Sequence, residues 1–179
     1  YAGSDFQQVL HHEMIHILDS RLGGELRPAL FVEGLAVYLT GGHFKAEPLL
    51  ARAAALLDLG GYLPLIPLAD DFYESQLEIG YLEAAALIQY MVNRWGWRAF
   101  WNFYRDIHPQ PSGKQADAID AALQVHYGLT FSQLEQRFVG ALMHIHPNPD
   151  LLDDLRLTVR YYDTVRRYQQ LFDPSAYFL

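Results

Sequence analysis

Residues 9–18 read Val-Leu-His-His-Glu-Met-Ile-His-Ile-Leu, and they constrain the fold more than any other stretch. His12 and His16 are four positions apart. On a helix that spacing puts two imidazoles on one face, ~40° apart around the axis and ~6 Å apart along it. Two ring nitrogens can then grip one metal ion. Glu13 falls on the flank of that face, where it can reach a water on the ion but not easily the ion itself. Val9, Leu10, Met14, Ile15, Ile17 and Leu18 make the remaining sides apolar. That pattern predicts a buried helix in a dry surround, which strengthens a metal site.

A second apolar run follows at Leu30-Phe31-Val32-Glu33-Gly34-Leu35-Ala36-Val37-Tyr38. Glu33 is its one acid. A carboxylate buried among apolar side chains is costly unless it is paired or bound to metal. Two His and one Glu leave a fourth position open for water, which is the ligand set of a catalytic zinc rather than a closed structural one. His12, His16 and Glu33 are therefore the candidate ligands of one Zn2+, and Glu13 is the candidate base.

His12-Glu13-x-x-His16 followed by Glu33-Gly34-x-Ala36-x-Tyr38 resembles the gluzincin metallopeptidases, the clan of thermolysin and the aminopeptidase N family. The pattern is most similar to the aminopeptidase N branch and its small peptidase MA-like relatives. The thermolysin branch has Asp where this chain has Val37. The metzincins need Gly and a third His where this chain has Asp19 and Leu22. The resemblance spans roughly residues 5–143. It implies a zinc peptidase acting on peptides or proteins, and a β-sheet preceding the site helix that this chain would lack. It also implies a tyrosine at the start of a later helix that stabilises the oxyanion. That role falls on Tyr81 in Gly80-Tyr81-Leu82-Glu83-Ala84-Ala85, with Gly96 at the family's spacing; Tyr73 and Tyr62 compete for it.

Around these motifs the period is helical nearly throughout, so the expected fold class is mainly α. Helices are predicted over residues 5–20, 29–39, 45–59, 79–95, 97–108, 115–127, 130–145 and 150–172. Ser4 or Asp5 is the first N-cap candidate, and Thr130-Phe131-Ser132-Gln133 forms a capping box. Residues 62–71 hold two prolines and read as an extended apolar segment that could cross the mouth of the site. Pro147-Asn148-Pro149 divides the chain into a zincin-like helical catalytic domain, 1–146, and a helical extension, 147–179.

Other candidates rank below these. His11 and His43 could contact substrate, Asp19 could accept a ligand N–H, and His144 with His146 could hold a second metal; surface or packing roles compete with each. Trp95, Trp97, Phe100, Trp101, Phe103 and Tyr104 read as core or as a contact to another domain, and Tyr38 as structural.

A formal charge of -8 disfavours nucleic acid, which needs a basic face. The absence of cysteine excludes disulfides and thiolate metal sites. No apolar run approaches the ~20 residues of a membrane span. From a start at Tyr1, without Met and just before the site helix, we expect the sequence to be a piece of a longer protein. Contacts to an upstream domain and an extracytoplasmic location, secreted or anchored, are expected on that basis. Two other readings stay open: a catalytically silent gluzincin-like module that binds peptide or scaffolds, and an all-α interaction domain with an accidental motif. Glu13 separates the first of these from an enzyme, and metal content separates the second.

Overall fold

The computed structural model describes residues 6–43, 46–74 and 77–173. The N-cap candidates Ser4 and Asp5 lie outside the described residues. Those described form nine α-helices, one 3-10 turn and no strand, so the chain is mainly α. The helices are α1 (Phe6–Leu22), α2 (Ala29–Thr40), α3 (Leu49–Asp58), α4 (Leu65–Asp70), α5 (Leu77–Trp95), α6 (Trp97–Arg105), α7 (Gln115–Tyr127), α8 (Phe131–Leu142) and α9 (Pro149–Phe172). The 3-10 turn, Phe72–Glu74, joins α4 to α5. No helix among the described residues is long and apolar enough to cross a membrane.

Helices α2 and α5 form the centre. Leu30, Phe31, Leu35, Ala36 and Val37 of α2 are buried, as are Leu82 and the run from Ala84 to Ile88 of α5. Gly34 lets the two helices cross closely. A Cβ there would lie 2.8 Å from the backbone carbonyl of Ala84, nearer than carbon and oxygen can approach. Ala84 and Ala85 are small on the facing side. This crossing fixes Glu33, next to Gly34, against Tyr81, one turn before Ala84. Helix α2 ends where Gly41 takes a left-handed conformation (φ 79°), donating to the Tyr38 carbonyl while Gly42 donates to that of Val37.

Helix α1 packs on α2 alone among the larger contacts, and its polarity is the reverse of the expected one. The buried positions are Gln8, His12 and Asp19. Leu10, Met14, Ile17 and Leu18 stand about half exposed, at 47–55%. The sequence reading of a helix buried on nearly every side is thus corrected. The polar stripe faces inward because each member finds a partner on another element: Gln8 donates to the Gly42 carbonyl at 2.7 Å, and Asp19 accepts from the Tyr104 hydroxyl at 2.8 Å and from Arg27 at 3.1 Å. The apolar stripe faces outward because no described element packs on it.

Residues 62–71 were expected to be extended, and part of the segment is helical instead. Pro64 is the N-cap of α4 and Pro67 falls in its first turn, where the backbone N–H groups have no intrahelical partner to lose. Two carboxylates, the fully buried Glu83 and the partly buried Glu135, fasten this segment. Glu83 accepts from Leu63 N–H at 2.9 Å. Glu135 of α8 accepts from Leu65 N–H at 2.8 Å and from the Tyr62 hydroxyl at 3.0 Å. Helix α3 starts four residues later than predicted, after Pro48 as its N-cap.

Phe100, Phe103 and Tyr104 of α6 are core, while Trp97 is partly exposed. The capping box at Thr130 and Gln133 opens α8 as read from the sequence. Helix α9 is tied to α3 by Arg52, which pairs with Asp154 and with Glu47, and by Leu155, which is fully buried.

Candidate metal centre

The i, i+4 spacing on α1 and the close crossing of α2 bring His12, His16 and Glu33 to one point. The two Nε2 atoms are 3.0 Å apart. Glu33 Oε2 lies 3.5 Å from His12 Nε2 and 3.3 Å from His16 Nε2. A tetrahedral ion with bonds of ~2.0–2.1 Å needs ligand edges of ~3.3–3.4 Å. The three separations bracket that value. His12 and Glu33 are buried and His16 is half-buried. Three lone-pair donors so close repel one another unless a cation or shared protons lie between them, so the donor set fits a metal.

The electrostatics of the metal-free site centre on Glu33. Burial works against charge on Glu33, but hydrogen bonds from His12, His16 and Tyr73 overcome it and hold the carboxyl well below the usual range. The bond to Glu33 raises His16 against the opposing effect of burial. Without a metal, these bonds favour the anionic carboxylate and shift His16 toward its protonated form. One feature of metal-bound histidines is missing here. A ligating imidazole ordinarily donates its second ring N–H to a neighbour, whereas His12 Nδ1 is buried without a partner.

The cleft beside the triad has a volume of about 250 Å³ and is lined by Val9, His12, Glu13, His16, Glu33, His43 and Tyr81. Glu13 is exposed on its wall, one residue from His12. Tyr81 is on the opposite helix, its ring 6.4 Å from that of His12. Burial and the Glu33 carboxylate push its hydroxyl well above the usual phenol range, so it remains a donor. His43 stacks on the Tyr81 ring at 4.2 Å and donates from Nδ1 to Glu78 at 3.0 Å.

The rival tyrosines take other positions. Tyr62 faces Glu135, away from the cleft. Tyr73 reaches the triad itself, and its hydroxyl donates to Glu33 Oε1 at 2.7 Å. Asp19 contacts Tyr104 and Arg27 rather than a ligand imidazole. His11, His144 and His146 are exposed, and the one metal-competent group among the described residues is His12, His16 and Glu33.

The sequence reading missed Glu78 and the bond from Tyr73 to Glu33. A usable signal existed for Glu78, an acid one turn before Tyr81 on the same helix. None existed for Tyr73 beyond its being a tyrosine nearby.

No family model, curated protein or solved structure matches this chain. The functional reading therefore rests on the site.

Proposed function

We propose that the chain is the helical part of a zinc-dependent peptidase that hydrolyses peptide bonds. The observation that carries this reading is the convergence of His12, His16 and Glu33 with near-tetrahedral spacing, open to a cleft that also holds Glu13 and Tyr81. The resemblance of the two motifs to gluzincin peptidases supports it.

His12, His16 and Glu33 would hold the zinc ion, which would acidify a water to near neutral pH and polarise the substrate carbonyl. Glu13 is too far around the helix to be a fourth ligand, yet it borders the same space. It takes the proton of the attacking water and delivers it to the leaving amine. Tyr81 donates its hydroxyl to the oxyanion of the tetrahedral intermediate from the far wall. His43, pinned by Glu78, stacks on Tyr81 and limits the swing of its ring. A silent peptide-binding module would need the ligands but no base, and the place of Glu13 on the cleft wall favours hydrolysis.

Glu13→Gln tests this directly. The variant removes a proton acceptor and no ligand. It should bind zinc as the parent does and lose peptide hydrolysis by at least the ~10²–10⁴-fold typical of a general base. Normal turnover by a zinc-loaded Glu13→Gln protein would refute the assigned chemistry.

A further inference from the structure

Glu33 has two carboxylate oxygens, and they have different partners. Oε2 faces both imidazoles. Oε1 accepts the Tyr73 hydroxyl at 2.7 Å. That is the length of a charge-assisted O–H···O⁻ bond, roughly twice as strong as a neutral one. The donor is held in place from several sides. Phe72, its neighbour in the 3-10 turn, is buried and sets its ring edge-on against both Tyr73 and Tyr81. Arg166 of α9 donates to the Glu74 carbonyl at 2.9 Å, on the other side of Tyr73.

A carboxylate can bind a metal through one oxygen or through both. A strong hydrogen bond on one oxygen disfavours two-oxygen binding, because the donor would have to be given up. It also fixes the carboxylate plane, so less freedom is lost when the ion enters. We propose that Tyr73 is a positioning residue that restricts Glu33 to one-oxygen ligation and tightens metal binding. It thereby keeps the coordination number at four and a position open for water. The proposal rests on the metal site described above. It assigns to Tyr73 a role separate from that of Tyr81, which faces the substrate.

The test uses the full chain, stripped of metal, as parent and as Tyr73→Phe. The ring is more than half exposed and Phe keeps its contact with Phe72, so the fold is retained; far-ultraviolet circular dichroism checks this. Zinc affinity is measured by competition with a chromophoric chelator, and coordination number by the visible absorption of the cobalt(II) form. The parent should bind one zinc. Tyr73→Phe should bind it ~10–100-fold more weakly, with the strong visible absorption of four-coordinate cobalt reduced toward that of a five-coordinate ion. A role confined to packing would leave the cobalt spectrum unchanged. Equal affinity and an identical spectrum in a parent that binds zinc would overturn the role of Tyr73 alone. A parent that binds no zinc would overturn the metal site and this inference together.

Discussion

At the scale of single residues, the cluster of Glu33 and His16 sets how stability responds to pH before any metal enters. Glu33 is held below its ordinary 4.5 and His16 above its ordinary 6.5. The carboxylate's contribution is complete above 4.5 and lost as pH falls through its folded pKa. The imidazole's contribution is complete below 6.5 and lost as pH rises through its own, which is higher. The metal-free protein should therefore gain most from the cluster between those two values, and its melting temperature should fall on either side. Zinc inverts the upper limb. It needs His16 deprotonated, so the thermal gain on adding zinc should grow from about pH 5 to about pH 8. Melting curves with and without zinc across that range check both limbs; a zinc gain that shrinks with rising pH would oppose the account. Tyr81 gives a second prediction at this scale. Tyr81→Phe keeps the ring stacked on His43 and removes only the donor. The rate should fall ~10²–10³-fold, equivalent to ~2.7–4 kcal/mol, with little change in substrate affinity. Steady-state kinetics of the variant that showed a raised KM and an intact kcat would place Tyr81 in substrate binding instead.

At the scale of elements, the contact between α2 and α5 governs the site. Gly34→Ala would drive a methyl group into the Ala84 backbone, 2.8 Å away. The helices must separate, at a cost of ~1–3 kcal/mol typical of overpacking. Glu33, the adjacent residue, moves with α2, so zinc affinity should fall along with stability. Chemical denaturation of the metal-free variant and a zinc titration measure the two effects. A destabilised variant with unchanged zinc affinity would show that the crossing does not position Glu33. Elements also show which parts of the structure could be read from the sequence. The triad was legible because its two histidines sit about one helical turn apart and its acid stands alone in an apolar run. The start of α8 at Thr130 was legible from local capping chemistry. The segment from Tyr62 to Asp71 was misread because proline marks a break in a helix interior but is tolerated in a first turn, and the sequence does not say which applies. The bonds from Tyr73 to Glu33 and from His43 to Glu78 span 40 and 35 residues. Those separations are closed by the packing of α2 against α5, which local pattern does not encode.

At the scale of the whole molecule, α1 has an unusual place. Its polar stripe carries the site and is buried, and its apolar stripe of Leu10, Met14, Ile17 and Leu18 is exposed. The remaining helices form the core that holds α2 and α5 in register, so the metal ligands are supported from one side by a well-packed body. Helix α9 joins that body through Leu155 and Arg52, and it reaches the turn that carries Tyr73 through Arg166. Everything proposed about chemistry depends on one zinc ion sitting among His12, His16 and Glu33. Zinc K-edge X-ray absorption on the zinc-loaded full chain measures this most directly. The account predicts one zinc per chain with two imidazoles and two oxygen donors at ~2.0–2.2 Å, one of those oxygens lost or replaced in Glu33→Ala. A spectrum without imidazole scattering, or one unchanged in His16→Ala and Glu33→Ala, would contradict it.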